Sequence, residues 1–131
     1  MVTEDYVSFE TAKLLKYRGA DFTTDNVYTS IGRPWEVAMC KFNYAEYQVN
    51  GYVKRPSLAM AMKWLREVHH LYIQVMLDSW ACGGHMGYYV VIQNTTSDFE
   101  MMLASALDIV FYGTYEEACE AAIKYCMENL I

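Results

Sequence analysis

Proline is scarce, two residues in 131, and there is no low-complexity tract, which excludes long disordered or polyproline segments. No apolar run approaches the ~20 residues that span a bilayer, so a transmembrane helix is not expected. Residues 1–6, Met-Val-Thr-Glu-Asp-Tyr, carry acids where a signal peptide needs a basic region and then an apolar one, which predicts an intracellular, cytoplasmic protein. Base is scarcer than acid. Ten Lys and Arg against sixteen Asp and Glu give a net charge of −6, a field that repels phosphate backbones and makes nucleic acid an unfavoured partner. There is also no Gly-Lys-Ser/Thr phosphate loop, no Gly-x-Gly-x-x-Gly, no His-Glu-x-x-His and no Gly-x-Ser-x-Gly. Phosphate, dinucleotide, zinc-protease and hydrolase chemistries therefore lack a starting motif, and no cofactor is implied.

What is present suits a packed core. Hydrophobic residues make up 54% of the chain and aromatics 15%, enough at this length for one domain over 1–131 without metal or disulfide staples. The four cysteines are Cys40, Cys82, Cys119 and Cys126. Cys119 and Cys126 fall on one helix with Cα atoms roughly 10 Å apart, beyond the ~7 Å reach of a disulfide. Reduced, packed thiols are expected.

The clearest element lies over 114–131. Thr114 and Glu117 form a capping-box pattern. At 100° per residue Tyr115, Ala118, Cys119, Ala122, Tyr125, Cys126 and Leu130 make an apolar stripe, with Glu116, Glu117, Glu120, Lys124 and Glu128 opposite. Small residues at the centre of the stripe predict a helix lying flat on a β-sheet. Ser8 predicts the start of a first helix over 9–18, and Gly19 its left-handed end. Residues 20–44 are rich in turn chemistry, with a short strand near 27–30. Over 35–42 the apolar pattern fits either a buried strand or a helical turn, and Asn50-Gly51 suits a hairpin. Pro56-Ser57 opens a second helix over 58–69, with Leu58, Ala61, Met62, Leu65 and Val68 on its core face; His69 and His70 are expected to cap its end. Residues 71–78 alternate as a strand, and 87–93 should pair with it as a hairpin.

Residues 95–113 allow two readings. Ser97 and Glu100 could cap a helix, whereas Ile109, Val110, Phe111 and Tyr112 favour a strand; we read a short helix or loop near 98–105 and a strand near 107–112. The expected fold class is α+β. It consists of a small antiparallel sheet of about three strands covered by helices, with an N-terminal helix and irregular segment over 1–55 packed on an α-β-β-β-α unit over 56–131.

Two phrases, Pro56-Ser-Leu-Ala-Met-Ala-Met-Lys-Trp-Leu-Arg-Glu-Val-His69 and the run from Thr114 to Ile131, resemble a group of small uncharacterised proteins encoded in gut Bacteroidales genomes and their phages and mobile elements. That resemblance implies a source and carries no functional residue across. The α-β-β-β-α order is also similar in topology to the double-stranded-RNA-binding domain, whose last helix presents a basic N-terminus to phosphates. Here that position reads Tyr115-Glu116-Glu117, the reverse charge, which opposes RNA binding.

Candidate sites each have a plainer alternative. Cys82-Gly-Gly-His85 is a Cys-x-x-His pair that His69, His70 or Cys40 could complete as a zinc site, but without a second knuckle a Gly-rich hairpin is the better reading. Cys40 or Cys82 as a nucleophile lacks a local motif. Lys13, Lys16 and Arg18 form a basic spot on the first helix, as do Lys54, Arg55, Lys63 and Arg66 around the second; solvated faces explain both. Twelve tyrosines, nine methionines and three tryptophans favour a contact surface, with Tyr72 and Trp80 as its candidate aromatics. The sequence therefore points to a non-enzymatic protein-binding or regulatory module, with an unknown protein partner or a second copy of itself. A nucleic-acid binder using the basic spots is the alternative.

Overall fold

In the computed structural model the described residues are 2–36, 51–78, 87–102, 104–105 and 108–131, with 104, 105, 108 and 109 described by backbone alone. The fold is α+β. The chain divides into two compact units, Met1–Met60 and Ala61–Ile131.

In the first unit, helix α1 (Phe9–Tyr17) starts where Ser8 Oγ accepts a hydrogen bond from the Thr11 amide at 3.2 Å, and it buries Thr11, Ala12 and Leu15. Gly19 ends it at φ +82°, as its position predicted. Strands β1 (Asn26–Tyr28), β2 (Pro34–Glu36) and β3 (Val53–Lys54) form an antiparallel sheet in the order β2-β1-β3. The turn between β1 and β2 needs glycine at 32: φ is +84° there, and a Cβ would lie 2.7 Å from the Phe9 ring. Trp35, opposite Val27, meets the Tyr52 ring edge-on at 5.4 Å. The readings over 37–50, including the hairpin at Asn50, lie outside the described residues. The Val7 amide donates to the Pro56 carbonyl at 3.1 Å and the Leu58 amide to that of Asp5 at 2.9 Å, tying the N-terminal stretch to 56–58.

Helix α2 (Leu58–Val68) begins where Ser57 Oγ accepts from the Met60 amide at 3.1 Å. Ala61 and Leu65 are fully buried, but Val68 is 55% exposed, against its assignment to the core face. The physical reason is the early end of the helix. His70 adopts φ 59°, a left-handed conformation that costs a residue with a Cβ roughly 1–2 kcal/mol, and turns the chain into the next strand before Val68 is covered. The His70 carbonyl accepts from the Thr95 amide at 2.8 Å, which fixes that turn to the end of the hairpin.

In the second unit, β4 (Leu71–Asp78) and β5 (Gly87–Asn94) pair over their full length, Leu71 opposite Asn94 and Asp78 opposite Gly87. The third strand, β6 (Glu100–Met102), pairs with β5 in the order β4-β5-β6. This corrects the expectation of a helix or loop near 98–105 at 100–102 and 104–105, which are strand, whereas 98–99 do lie in a loop. The amide of Thr96 bonds Asn94 Oδ1 at 2.8 Å and that of Phe99 bonds Ser97 Oγ at 3.4 Å, so the Asx and Ser side chains close a tight turn instead of capping a helix. Of the strand expected at 107–112, the described residues show β8 (Asp108–Ile109), paired with β7 (Ala104–Ser105), and an isolated bridge from Tyr112 to Tyr88.

Helix α3 (Tyr115–Tyr125) is capped by Thr114, whose Oγ1 accepts from the Glu117 amide at 3.1 Å. It packs on β4 and β5. Its buried positions are Ala118, Cys119, Ala122 and Ile123, continued by Cys126 and Met127 in a π-helical turn over Cys126–Leu130. The stripe is thus rotated from the expected one. Ile123 and Met127 lie inside, Tyr115 is 45% exposed, and Glu120 is half-buried rather than on the solvent side. Ala122→Leu should cost about 1–3 kcal/mol by overpacking where helix and sheet are closest. Glu128→Gln, an exposed partner of Lys124 at i+4, should cost under about 0.5 kcal/mol. Chemical denaturation measures both, and equal costs would contradict this packing.

Candidate functional site

Side chains alternate across a strand, so the pairing of β4, β5 and β6 sorts the second sheet into two faces. One carries Ile73, Val75, Val90 and Ile92, with Val90 and Ile92 fully buried. The other carries three rows read from the register: Tyr72–Gln93–Glu100, Gln74–Val91–Met102, and Met76–Tyr89. On this second face Tyr72 is 40% exposed, Met76 41% and Met102 44%.

A polar chain crosses the same face. Gln74 Nε2 donates to Gln93 Oε1, and Gln93 Nε2 donates to Glu100 Oε2 at 3.1 Å, so one hydrogen-bonded line joins all three strands. Beside it, a depression of about 340 Å³ is lined by Tyr72, Gln93, Asn94, Ser97, Phe99 and Glu100 among others. Tyr89 meets the Phe111 ring edge-on at 6.0 Å. The arrangement offers amide and carboxylate hydrogen-bonding groups between exposed aromatic and thioether side chains. It suits recognition.

Of the sequence candidates, the structure places Tyr72 on this face. Trp80, Cys82, His85 and Cys40 lie outside the described residues. His69 packs edge-on against Trp64 at 4.7 Å, and among the described residues no three His, Cys, Asp or Glu side chains gather to hold a metal ion. The basic spots are drawn into local contacts. Lys13 lies 4.5 Å over the Phe9 ring, Lys16 donates to the Tyr52 carbonyl at 3.2 Å, and Arg18 lies 5.8 Å from the Tyr17 ring. Lys63 is 3.9 Å from Glu67, and Arg66 is exposed. Lys54 bonds Asp21, and that hydrogen bond holds the Asp21 carboxyl below its ordinary range. Arg55 stacks on Tyr6 and Tyr28, 4.0 and 5.3 Å from the ring centres, as a cation–π clasp.

Sequence reasoning missed Gln93, Glu100, Phe99 and Met102 as members of one surface. The alternation of 71–78 had already set Gln74 with Tyr72 and Met76, but the register that adds β6 depends on the turn at 94–99. No protein-family model matches this chain, and neither a curated protein nor a solved structure matches it.

The two described cysteines lie on the opposite side of the sheet's chemistry. Burial raises the Cys119 thiol above its ordinary pKa and pushes that of Cys126 up to about 12. With the native pKa above the unfolded one, Cys126 leaves stability unchanged below about pH 8.5 and lowers it as pH climbs from there toward the native value. Iodoacetamide at about pH 8 should therefore leave Cys126 unmodified in the native protein and modify it in denaturant, as read by peptide mass mapping. Rapid native labelling would contradict the burial.

Proposed function

We propose that this chain is a non-enzymatic protein-binding or regulatory module of a phage or mobile element, acting on a host protein through the open face of its second sheet. The observation that carries this reading is the exposure of Tyr72, Met76 and Met102 on one face braced by the Gln74–Gln93–Glu100 line. Tyrosine supplies large contact area at low entropic cost, and methionine adapts to an apolar complement. The hydrogen-bonded line gives the surface fixed polar positions that a partner must match. The resemblance of 56–69 and 114–131 to Bacteroidales mobile-element proteins supports the setting. The engagement of Lys13, Lys16, Lys54 and Lys63 in local contacts favours a protein over a nucleic-acid partner.

The test uses the whole chain as bait in extract of a Bacteroidales host, beside the variant Tyr72→Ser/Met76→Ser/Met102→Ser. The wild type should retain a defined protein and the variant at least about tenfold less of it by quantitative mass spectrometry, the loss expected when central apolar anchors are truncated. Equal retention by both would overturn the reading. A low-salt gel shift with DNA or RNA would favour the nucleic-acid alternative; none is expected.

A further inference from the structure

We propose that the outer edge of β4 pairs antiparallel with the same edge of a second copy, centred on Gln74, making one continuous six-stranded sheet from two three-stranded ones. This rests on the protein-binding reading and names one partner for it. In the order β4-β5-β6 one long edge of β4 is paired with β5, and among the described residues no strand pairs with the other. An eight-residue edge presents a row of backbone donors and acceptors, and proteins that keep such edges apart use lysine, proline or a bulge. β4 has none of these. Its sequence is Leu-Tyr-Ile-Gln-Val-Met-Leu-Asp, and its pairing with β5 runs without interruption.

The sequence of β4 is also complementary to itself reversed. Antiparallel pairing about a two-fold axis sets residues of the same face opposite one another, so the axis must pass through a residue. With the axis at Gln74, Tyr72 faces Met76 of the second copy, Ile73 faces Val75, and Leu71 faces Leu77. Tyr72, Met76 and Leu77 are 40%, 41% and 54% exposed, and this register gives each a cross-strand neighbour. The aromatic and thioether pairs meet in the combination that such contacts favour. Asp78, the strand's one charged residue, then lies toward His70 of the other copy and away from the second Asp78. An axis at Val75 would instead set Tyr72 against Asp78. The joined sheet doubles the open face, with both copies of Met102 and Glu100 on the same side.

Charge reversal across the axis tests this. Tyr72 and Met76 lie roughly 13 Å apart along one strand, beyond the Debye length of about 8 Å at physiological salt, so charges at the two positions interact little within a chain. Across the proposed axis they are neighbours. In analytical ultracentrifugation the wild type should be dimeric, Tyr72→Lys/Met76→Lys monomeric, and Tyr72→Lys/Met76→Glu dimeric again. A monomeric wild type, or the same state for both double variants, overturns the pairing. Because folding could fail in a variant, crosslinking supplies a second reading. A short bis-maleimide should join Gln74→Cys into a covalent dimer, since residues opposite at the axis have Cβ atoms about 5 Å apart. It should leave Met76→Cys no more crosslinked than the wild type, and absence of the Gln74→Cys dimer also overturns the proposal. A monomeric wild type that still retains a host protein would leave the protein-binding reading standing.

Discussion

The close contact of α3 with β4 and β5 is the constraint on which the second unit depends. Ala118, Cys119 and Ala122 carry small side chains, so the helix backbone can approach the sheet, and the fully buried Ile123 and Met127, one i+4 step apart, pack beside them. Burial follows on the strand side too, where Val90 and Ile92 are sealed. The same contact decides the chemistry. The thiols of Cys119 and Cys126 are enclosed and held protonated, which makes them packing groups rather than nucleophiles.

Covering one face of a three-stranded sheet leaves the question of the other. Here side-chain hydrogen bonds link the three strands, and Tyr72, Met76 and Met102 are exposed beside them. Charge follows a different rule in the first unit. Arg55 is spent between two tyrosine rings and Lys54 on Asp21, so the basic residues there stabilise local structure and leave little concentrated positive field.

Much of this was legible in the sequence where local signals and tertiary packing agree. Ser8, Gly19, Ser57 and Thr114 marked helix ends correctly because caps satisfy backbone groups within a few residues. The β4–β5 pairing followed from the alternation of 71–78 and the β-branched and aromatic run of 87–93. The misreadings share a cause. Ser97 and Glu100 match a capping box, but Asn94 and Ser97 close a turn first, and Glu100 is then taken into the sheet opposite Gln93. Val68 fits the helical stripe of α2, yet the left-handed turn at His70 ends the helix before it is covered. On α3 the buried stripe is wider than the small residues suggested, because Ile123 and Met127, one i+4 step apart, flank Cys119, Ala122 and Cys126 on the covered face. This second face was only half visible, since Gln74 and Tyr72 share a face by periodicity, whereas Glu100 and Met102 join it through a register that no local pattern encodes.

Native-state hydrogen exchange tests the central contact most directly. If α3 and the sheet are held together by the Ala118, Cys119 and Ala122 approach, the amides of Val90 to Ile92 and those of Ala122 and Ile123 should open together, with the same free energy and the same denaturant dependence. Amides of α3 that exchange more than about tenfold faster than those of β5 would show a helix that detaches alone, and would contradict the account.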